Sequence, residues 1–180
     1  MMRRYKYFII PPVLILFFSL SYFLYINTTN NFHPITAGEA YRSAQPGIDD
    51  IEYYIKKYGI RSILNLRGKF SNEQWYINEI KVSEKHDVKH YDLALSSGRE
   101  PTNDEAQKLI EIFKIAPRPI LIHCMGGADR TGLVSAMWKV IVNKEQKSEA
   151  EKQLSLRFGH IPVGKTYAMD RFFHNWKPEP

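Results

Sequence analysis

The chain has 180 residues, 44% of them apolar and 13% aromatic, so it is long enough for one folded domain and too apolar to be disordered. The formal net charge is +6, and Arg3, Arg4 and Lys6 supply three of those charges, which leaves +3 for the rest of the chain. This small remainder does not indicate a nucleic-acid-binding protein, which usually concentrates Lys and Arg on one stripe, and we expect no nucleic-acid partner.

The N-terminal segment predicts a membrane anchor. Residues 1–6 form a short basic stub, and residues 7–26 carry no charge. Twenty helical residues span about 30 Å, the thickness of the hydrocarbon core of a bilayer. A cleaved signal peptide is the alternative, disfavoured because residues 22–26 hold no small-x-small cleavage site. Because the basic residues precede the span, we expect a single-pass protein of the cytoplasmic membrane with a cytoplasmic stub and its folded domain on the extracytoplasmic (periplasmic) side.

After this segment, residues 27–34 predict a polar tether, and the folded domain is expected over 35–177. The first elements of the domain alternate in type: a helix over 49–58 ended by Gly59, a strand over 62–66, a helix over 72–86 and a strand over 88–95. The apolar residues of the second helix that we expect in the core are Trp75, Ile77, Ile80 and Val82.

The second half of the domain begins with a marked helix start. Thr102 and Glu105 form the Thr-x-x-Glu pattern of a capping box, and Pro117 ends the helix. The elements that follow are a short apolar strand over 119–123 and helices over 131–142, 148–157 and 165–175. Strands that alternate with helices predict an α/β domain with a central, largely parallel sheet flanked by helices.

The stretch 123–132 joins the apolar strand to the next helix and carries the chemistry. Cys124, the only cysteine, lies at the carboxyl end of the strand, where open α/β sheets bind their ligands. The next residues include two glycines, so the backbone can curl until its N–H groups point at one spot and bind an anion, and the same positive field favours the nucleophilic thiolate. Arg130 can grip two phosphate oxygens with its planar fork. The residues expected to contact the anion are Met125, Gly126, Gly127, Ala128 and Thr131.

This Cys-x5-Arg-Thr motif, preceded by His, resembles the signature of cysteine-dependent protein tyrosine and dual-specificity phosphatases. Residues 41–46, 59–67 and 99–102 look like segments of the atypical dual-specificity subgroup of bacteria, fungi and plants. The resemblance implies that Cys124 attacks phosphorus and that Arg130 stabilises the equatorial oxygens of the transition state. It also implies that Thr131 helps the thiolate to leave and that His123 supports the loop from beneath.

The general acid, which protonates the leaving group, stays open between three carboxyl groups. Asp92 lies 32 residues before Cys124, but inside a predicted strand, whereas Glu100 lies on the loop after that strand. Asp129 lies within the phosphate loop, the segment from Cys124 to Arg130. Loops ending in Gly-x-Asp-Arg-Thr resemble those of myotubularin-type lipid phosphatases, where this Asp is a proposed acid. We therefore expect Asp129 to complete the catalytic set with Cys124 and Arg130.

The predicted function is hydrolysis of phosphate monoesters through a phosphocysteine, with a phosphorylated protein (phosphotyrosine or dual specificity) as the first substrate class. A membrane phospholipid or an inositol phosphate is the alternative, favoured by Asp129 and by the anchor. A catalytically inactive phosphate-binding module is the least favoured hypothesis, because both Cys124 and Arg130 are present. We expect no cofactor and no metal, since no His/Asp/Glu cluster has metal-ligand spacing.

Three further residues have two interpretations each. Arg42 and Arg67 follow strand-like segments and either reach a second anionic group of the substrate or serve the fold, and the structural role is favoured. His160 either lines the rim of the site or is an ordinary surface histidine, and the second interpretation is favoured.

Overall fold

The computed structural model describes residues 6–177, with side chains from residue 11 onward. Residues 1–5, most of the expected basic stub, lie outside the described residues. In chain order the elements are α1 (Lys6–Thr28), β1 (His33–Thr36), β2 (Ala40–Ser43), α2 (Ile48–Tyr58), β3 (Ser62–Asn65), α3 (Gln74–Lys85), β4 (Lys89–Asp92), α4 (Asn103–Ile115), β5 (Ile120–His123), α5 (Asp129–Ile141), α6 (Lys147–Ala150) and α7 (Ala168–Asn175). Three short 3₁₀ turns lie between α6 and α7.

A five-stranded sheet with the order β1-β2-β5-β3-β4 forms the centre of the domain. Only β1 pairs antiparallel; the other neighbours are parallel, which confirms the predicted α/β class. All four residues of β5 are buried, as expected for a strand covered on both faces. In the register of the sheet, His123 lies level with Ser43 on one side and with Asn65 on the other. The carboxyl ends of β2, β5 and β3 therefore meet at one edge.

Helices cover both faces of the sheet. On one face α4, α5 and α7 pack through a large apolar cluster that includes Leu109, Phe113, Trp138, Met169 and Phe173. On the other face α2 and α3 pack through a smaller cluster that includes Ile51, Tyr54, Ile63, Val82 and Leu121. All eight residues from 131 to 138 in α5 are buried, so this helix is enclosed by the domain. The site at its N-terminus thus rests on the most deeply buried helix of the fold.

The predicted start of α4 is confirmed. The hydroxyl of Thr102 accepts a hydrogen bond from the Glu105 N–H at 3.2 Å, and the Glu105 carboxylate accepts one from the Thr102 N–H at 2.7 Å. Arg99 adds two contacts of 2.7 and 2.6 Å to the same carboxylate. These charged contacts lower the pKa of Glu105 to about 2, although its partial burial opposes this. The loop before α4 is therefore fastened to the helix.

The expected core face of α3 is partly wrong. Val82 is buried, but Trp75, Ile77 and Ile80 are only partly buried. The helix instead buries Tyr76, Glu79, Val82 and Ser83. The reason is that α3 points the carboxylate of Glu79 towards the sheet, where His123 and His90 contact it.

The C-terminal helices are shorter than expected. The helix predicted over 148–157 gives way after Ala150 to 3₁₀ turns, and α7 begins at Ala168 instead of 165. Arg42 Nη1 donates a hydrogen bond to the carbonyl of Gln153 at 2.8 Å. In a continuous helix this carbonyl would instead accept a backbone N–H. The apolar spacing of Ala150, Leu154 and Phe158 imitates a helical face, although the chain bends between them.

Residues 27–34 do not form the expected free tether. Helix α1 continues to Thr28, and the fully buried amide of Asn31 donates to the carbonyls of Gly126 at 3.1 Å and Phe158 at 2.9 Å. Phe32 stacks against the rings of Tyr41 and Tyr54. By length and composition, the stretch Pro11–Thr28 of α1 could cross a membrane, and none of this stretch is buried in the domain. The folded domain therefore begins where α1 ends.

Candidate active site

A tight loop over 124–130 connects β5 to α5, and its shape requires a glycine at one position. Gly127 has φ +67°, and a Cβ there would lie 2.6 Å from the backbone nitrogen of Ala44 and 2.7 Å from the carbonyl of Ser43. Both the left-handed conformation and the close approach exclude other residues. The carbonyl of Met125 accepts from the Gln45 N–H at 3.1 Å. The loop is thus clamped against the chain that follows β2.

Arg42, at the end of β2, supports the loop from the protein side. Its fully buried guanidinium donates from Nη2 to the Gly127 carbonyl at 2.8 Å and from Nη1 to the carbonyl and side chain of Gln153 at 2.8 and 2.9 Å. It also lies 4.0 Å from the ring centre of Phe158. Burial lowers the pKa of Arg42 to about 9, and the nearby Cys124 opposes that shift. Arg42 draws a loop carbonyl outward, which leaves loop N–H groups free for an anion.

The three side chains predicted to carry the chemistry, Cys124, Arg130 and Thr131, lie at the two ends of the loop. Cys124 is almost fully buried at the end of β5. Arg130 donates to the carbonyls of Leu66 and Leu95, both at 3.3 Å, so the segments after β3 and β4 position its fork. The buried Thr131 Oγ1 has no hydrogen-bond partner among residues 11–177. A buried hydroxyl without a partner is costly, and the implied role for Thr131, a hydrogen bond to the departing sulfur, would supply one.

Behind the loop, Glu79 joins three donors that the sequence did not link to it. Its carboxylate lies 3.1 Å from His123 Nε2, 2.7 Å from His90 Nε2 and 2.8 Å from Gln45 Nε2. Burial disfavours the charged form, but the adjacent His123 and His90 rings outweigh it and lower the pKa of Glu79 well below its ordinary value. His123 lies fully buried behind the loop, 3.4 Å from the Cys124 carbonyl. The only sequence signal for Glu79 was an acidic residue among the apolar positions of α3.

Asp129 is held by a buried histidine. His160 Nδ1 lies 2.7 Å from Asp129 Oδ1, and its Nε2 lies 3.0 Å from Asp170 Oδ2. Burial disfavours the charged imidazole, yet the two carboxylates outweigh it and raise the pKa of His160. The expectation of a surface histidine is wrong, since His160 is fully buried. Nothing in the sequence around residue 160 pointed to this contact.

The other two acid candidates have partners away from the loop. Asp92 ends β4, two strands from β5, and accepts from Asn65 Nδ2 at 2.9 Å and from the hydroxyl of Tyr76 at 2.5 Å. Partial burial and the contact with Asp92 raise the pKa of Tyr76 above its ordinary value. Glu100 pairs with Arg171 at 2.7 Å. Of the three carboxyl groups, only Asp129 belongs to the phosphate loop.

Arg67 lies close enough to Arg130 to add a second positive charge beside the loop. It donates to Gln45 Oε1 at 3.0 Å, and its guanidinium stacks 3.7 Å above the ring centre of Trp75. Partial burial, followed by repulsion from Arg130, lowers the pKa of Arg67. The contacts of Arg67 fit both interpretations, binding of a second anionic group or a structural role. Those of Arg42 support the structural role, because its guanidinium donates to the loop carbonyl. No group of three or more His, Cys, Asp or Glu side chains within the described part of the chain is arranged to hold a metal ion.

The similarity of this chain to known proteins is shown by a family match and by three examples. Residues 29–169 match the family described as DSP-PTPase phosphatase fused to NAD+ kinase. Human dual specificity protein phosphatase CDC14A is 27% identical over 108 residues, which cover 60% of this chain but only 15% of that protein. The structure of TpbA from P. aeruginosa has a TM-score of 0.62 at 18% identity and covers 83% of this chain and 87% of its own. The catalytic core of the PP-IP phosphatase Siw14 from S. cerevisiae has a TM-score of 0.66 at 22% identity and covers 82% and 85%.

The family match includes the phosphate loop and the residues that support it, Arg42, Glu79 and His160. It also begins at residue 29, close to the end of α1. The TM-scores of 0.62 and 0.66 show that the fold of this chain is similar to that of the two solved structures. The chain therefore belongs to the dual-specificity phosphatase (DSP-PTPase) family and is a cysteine-based phosphatase.

Proposed function

We propose that the chain hydrolyses phosphate monoesters through a phosphocysteine on Cys124. The observation that carries the proposal is a nearly buried thiol at the start of a glycine-shaped loop whose carbonyl is drawn away by Arg42. The thiolate attacks phosphorus, the ester P–O bond breaks, and the leaving oxygen takes a proton. Water then attacks the phosphocysteine and returns a proton to the group that protonated the leaving oxygen, the S–P bond breaks, and inorganic phosphate leaves with the thiolate restored.

The loop and Arg130 stabilise the transferring group. The N–H groups of residues 125–128, at the N-terminus of α5, offer donors to the equatorial oxygens, and the Arg130 fork can bind two of them at once. The carbonyls of Leu66 and Leu95 already hold the Arg130 guanidinium in place. Little reorganisation of this side chain is therefore needed when negative charge develops on the transferring group. The free hydroxyl of Thr131 serves the sulfur as it leaves.

Asp129 is the proposed general acid. One of its carboxylate oxygens contacts His160, and the side chain is 26% exposed, so part of the carboxyl group is open to solvent at the end of the loop. The pair of Asp129 and His160 can hold the proton that the leaving oxygen takes, and Asp170 stabilises the charged imidazole from the other side.

The test compares variants of the full-length chain in single-turnover hydrolysis of an aryl and an alkyl phosphate. Cys124→Ser should abolish turnover of both esters, and retained activity would refute the phosphocysteine. Asp129→Asn should lower alkyl-ester turnover by roughly 10²–10⁴-fold and spare the aryl ester, whose leaving group scarcely needs a proton. Asp92→Asn is the matched control, and a selective loss there instead would move the acid to β4.

The phosphoprotein substrate expected from the sequence remains a prediction. It is supported by a structure of TpbA that holds phosphotyrosine, while Siw14, a PP-IP phosphatase, supports the inositol phosphate alternative. We also propose that α1 anchors the domain at the extracytoplasmic surface of the cytoplasmic membrane. Protease treatment of intact and permeabilised cells would test this, since cleavage of the domain only after the inner membrane is opened contradicts the expected side.

A further inference from the structure

An apolar groove lies directly beside the phosphate loop. It has a volume of about 640 Å³, within the range of small-molecule sites. One wall is formed by the last turns of α1, including Tyr22, Phe23 and Ile26, and the opposite wall by the loop residues Met125 and Gly126. No charged side chain lines it. The groove therefore offers an apolar surface that begins at the edge of the phosphate site.

The groove is continuous with the exposed surface of Pro11–Thr28 in α1, a stretch of which no residue is buried in the domain. The side chain of Phe23 is 62% exposed, and the preceding apolar turns are equally uncovered. On the domain side, Met125, Leu156 and Ile161 are 67%, 63% and 54% exposed. Large exposed apolar residues gathered at one place mark a protein or membrane contact. Because α1 is long and apolar enough to cross a bilayer, this patch would lie where the helix leaves the membrane.

From this arrangement we propose that the substrate is a membrane phospholipid that carries a phosphate monoester, with an acyl chain in the groove beside α1 and the phosphate in the loop 124–130. The proposal rests on the proposed phosphatase function and names its substrate class. A lipid has the two parts that this surface can bind, an anionic head for the loop and an apolar chain for the groove.

Other phosphate esters fit the groove less well. An inositol phosphate has no apolar part and would leave the groove empty. A phosphopeptide has backbone N–H and C=O groups that would lose water against a mostly apolar wall, where Ser19, Asn27 and Asn30 offer only a few partners. A lipid also needs no diffusion through the periplasm, because α1 would keep the loop at the surface in which the lipid lies.

The test uses the full-length chain in phosphatidylcholine vesicles and compares kcat/KM for butyl and octyl phosphate. Each methylene buried in an apolar site adds roughly fourfold, so four add up to about 250-fold. Ile161→Asp places a charge in the groove and should lower the octyl-to-butyl ratio at least tenfold. Ile115→Asp is the matched control, since Ile115 is 67% exposed at the end of α4, outside the groove. Neither substitution alters how the two esters partition into the vesicles, so a difference between the variants reports on the groove.

A second arm compares dispersed phosphatidic acid in the same vesicles with a phosphotyrosyl peptide. Faster Cys124-dependent release of phosphate from the lipid supports the proposal. An octyl-to-butyl ratio that is equal in Ile161→Asp and Ile115→Asp, or faster turnover of the peptide, overturns the lipid assignment while the phosphatase function stands. If Cys124→Ser releases phosphate from butyl phosphate as fast as the wild type, the proposed function itself fails.

Discussion

Replacing Glu79 by glutamine tests the support of the phosphate loop. The change keeps the size and shape of the side chain, so no cavity forms, but it removes the charge that holds His123 at 3.1 Å and His90 at 2.7 Å. The new amide also turns N–H groups towards a site that holds only donors, including Gln45 Nε2 at 2.8 Å. The variant therefore isolates the electrostatic part of the network.

The expected cost follows from the burial of this carboxylate. Glu79 is fully buried, and the change takes a charged acceptor away from two buried ring nitrogens, of His123 and His90, which together costs about 3 kcal/mol. For a domain of this size, 1 kcal/mol corresponds to roughly 2–4 °C in Tm, so Glu79→Gln should lower Tm by roughly 6–12 °C at pH 7. The assay is thermal unfolding of the full-length chain in detergent, followed by near-ultraviolet circular dichroism.

The pH dependence gives the sharper result. Because the pKa of Glu79 is lower in the folded than in the unfolded chain, the stability that it contributes is fully present above the unfolded pKa of about 4.3 and is lost as pH falls below it. The gap in Tm between wild type and Glu79→Gln should therefore shrink from pH 5 to pH 3. Glu84→Gln, an exposed change in the same helix, should stay within about 0.5 kcal/mol of the wild type throughout. A Glu79→Gln variant as stable as Glu84→Gln at pH 7 would refute the role of the carboxylate.

Three further substitutions test other parts of the site. Gly127→Ala should be strongly destabilised and inactive, because its Cβ would meet backbone atoms at 2.6 Å, while Gly126→Ala, with no atom within 4 Å, should keep the Tm of the wild type. Arg42→Lys should lower stability by about 2 kcal/mol, since one ammonium cannot replace a fork that binds two separate carbonyls, and a wild-type denaturation midpoint would contradict this. Because the pKa of His160 is raised in the folded chain, the stability that its charged form contributes is full below about pH 6.5 and is lost as pH rises through the folded pKa. The gap between the urea midpoints of wild type and His160→Asn should therefore narrow as pH rises above about 6.5, and a constant gap would argue against a charged imidazole.

The sequence by itself determined the parts of the site that depend on neighbouring residues. The strand Ile120–His123, the loop after it and the start of α5 follow from a continuous apolar run, two glycines and a helical pattern, all within about 20 residues of chain. The capping box of Thr102 and Glu105 is likewise local, and it formed as expected. Such features need only the backbone preferences and side chains of adjacent residues.

The tertiary structure decided how the loop is supported. Glu79 lies 44 residues from His123, His160 lies 31 residues from Asp129, and Asn31 lies 95 residues from Gly126. Each of these polar side chains is buried only because a partner from a distant segment satisfies it, and no local pattern records which partner that is. The groove beside α1 has the same origin, since its two walls come from segments about 100 residues or more apart in the chain, which Asn31 joins by anchoring the end of the helix to the loop.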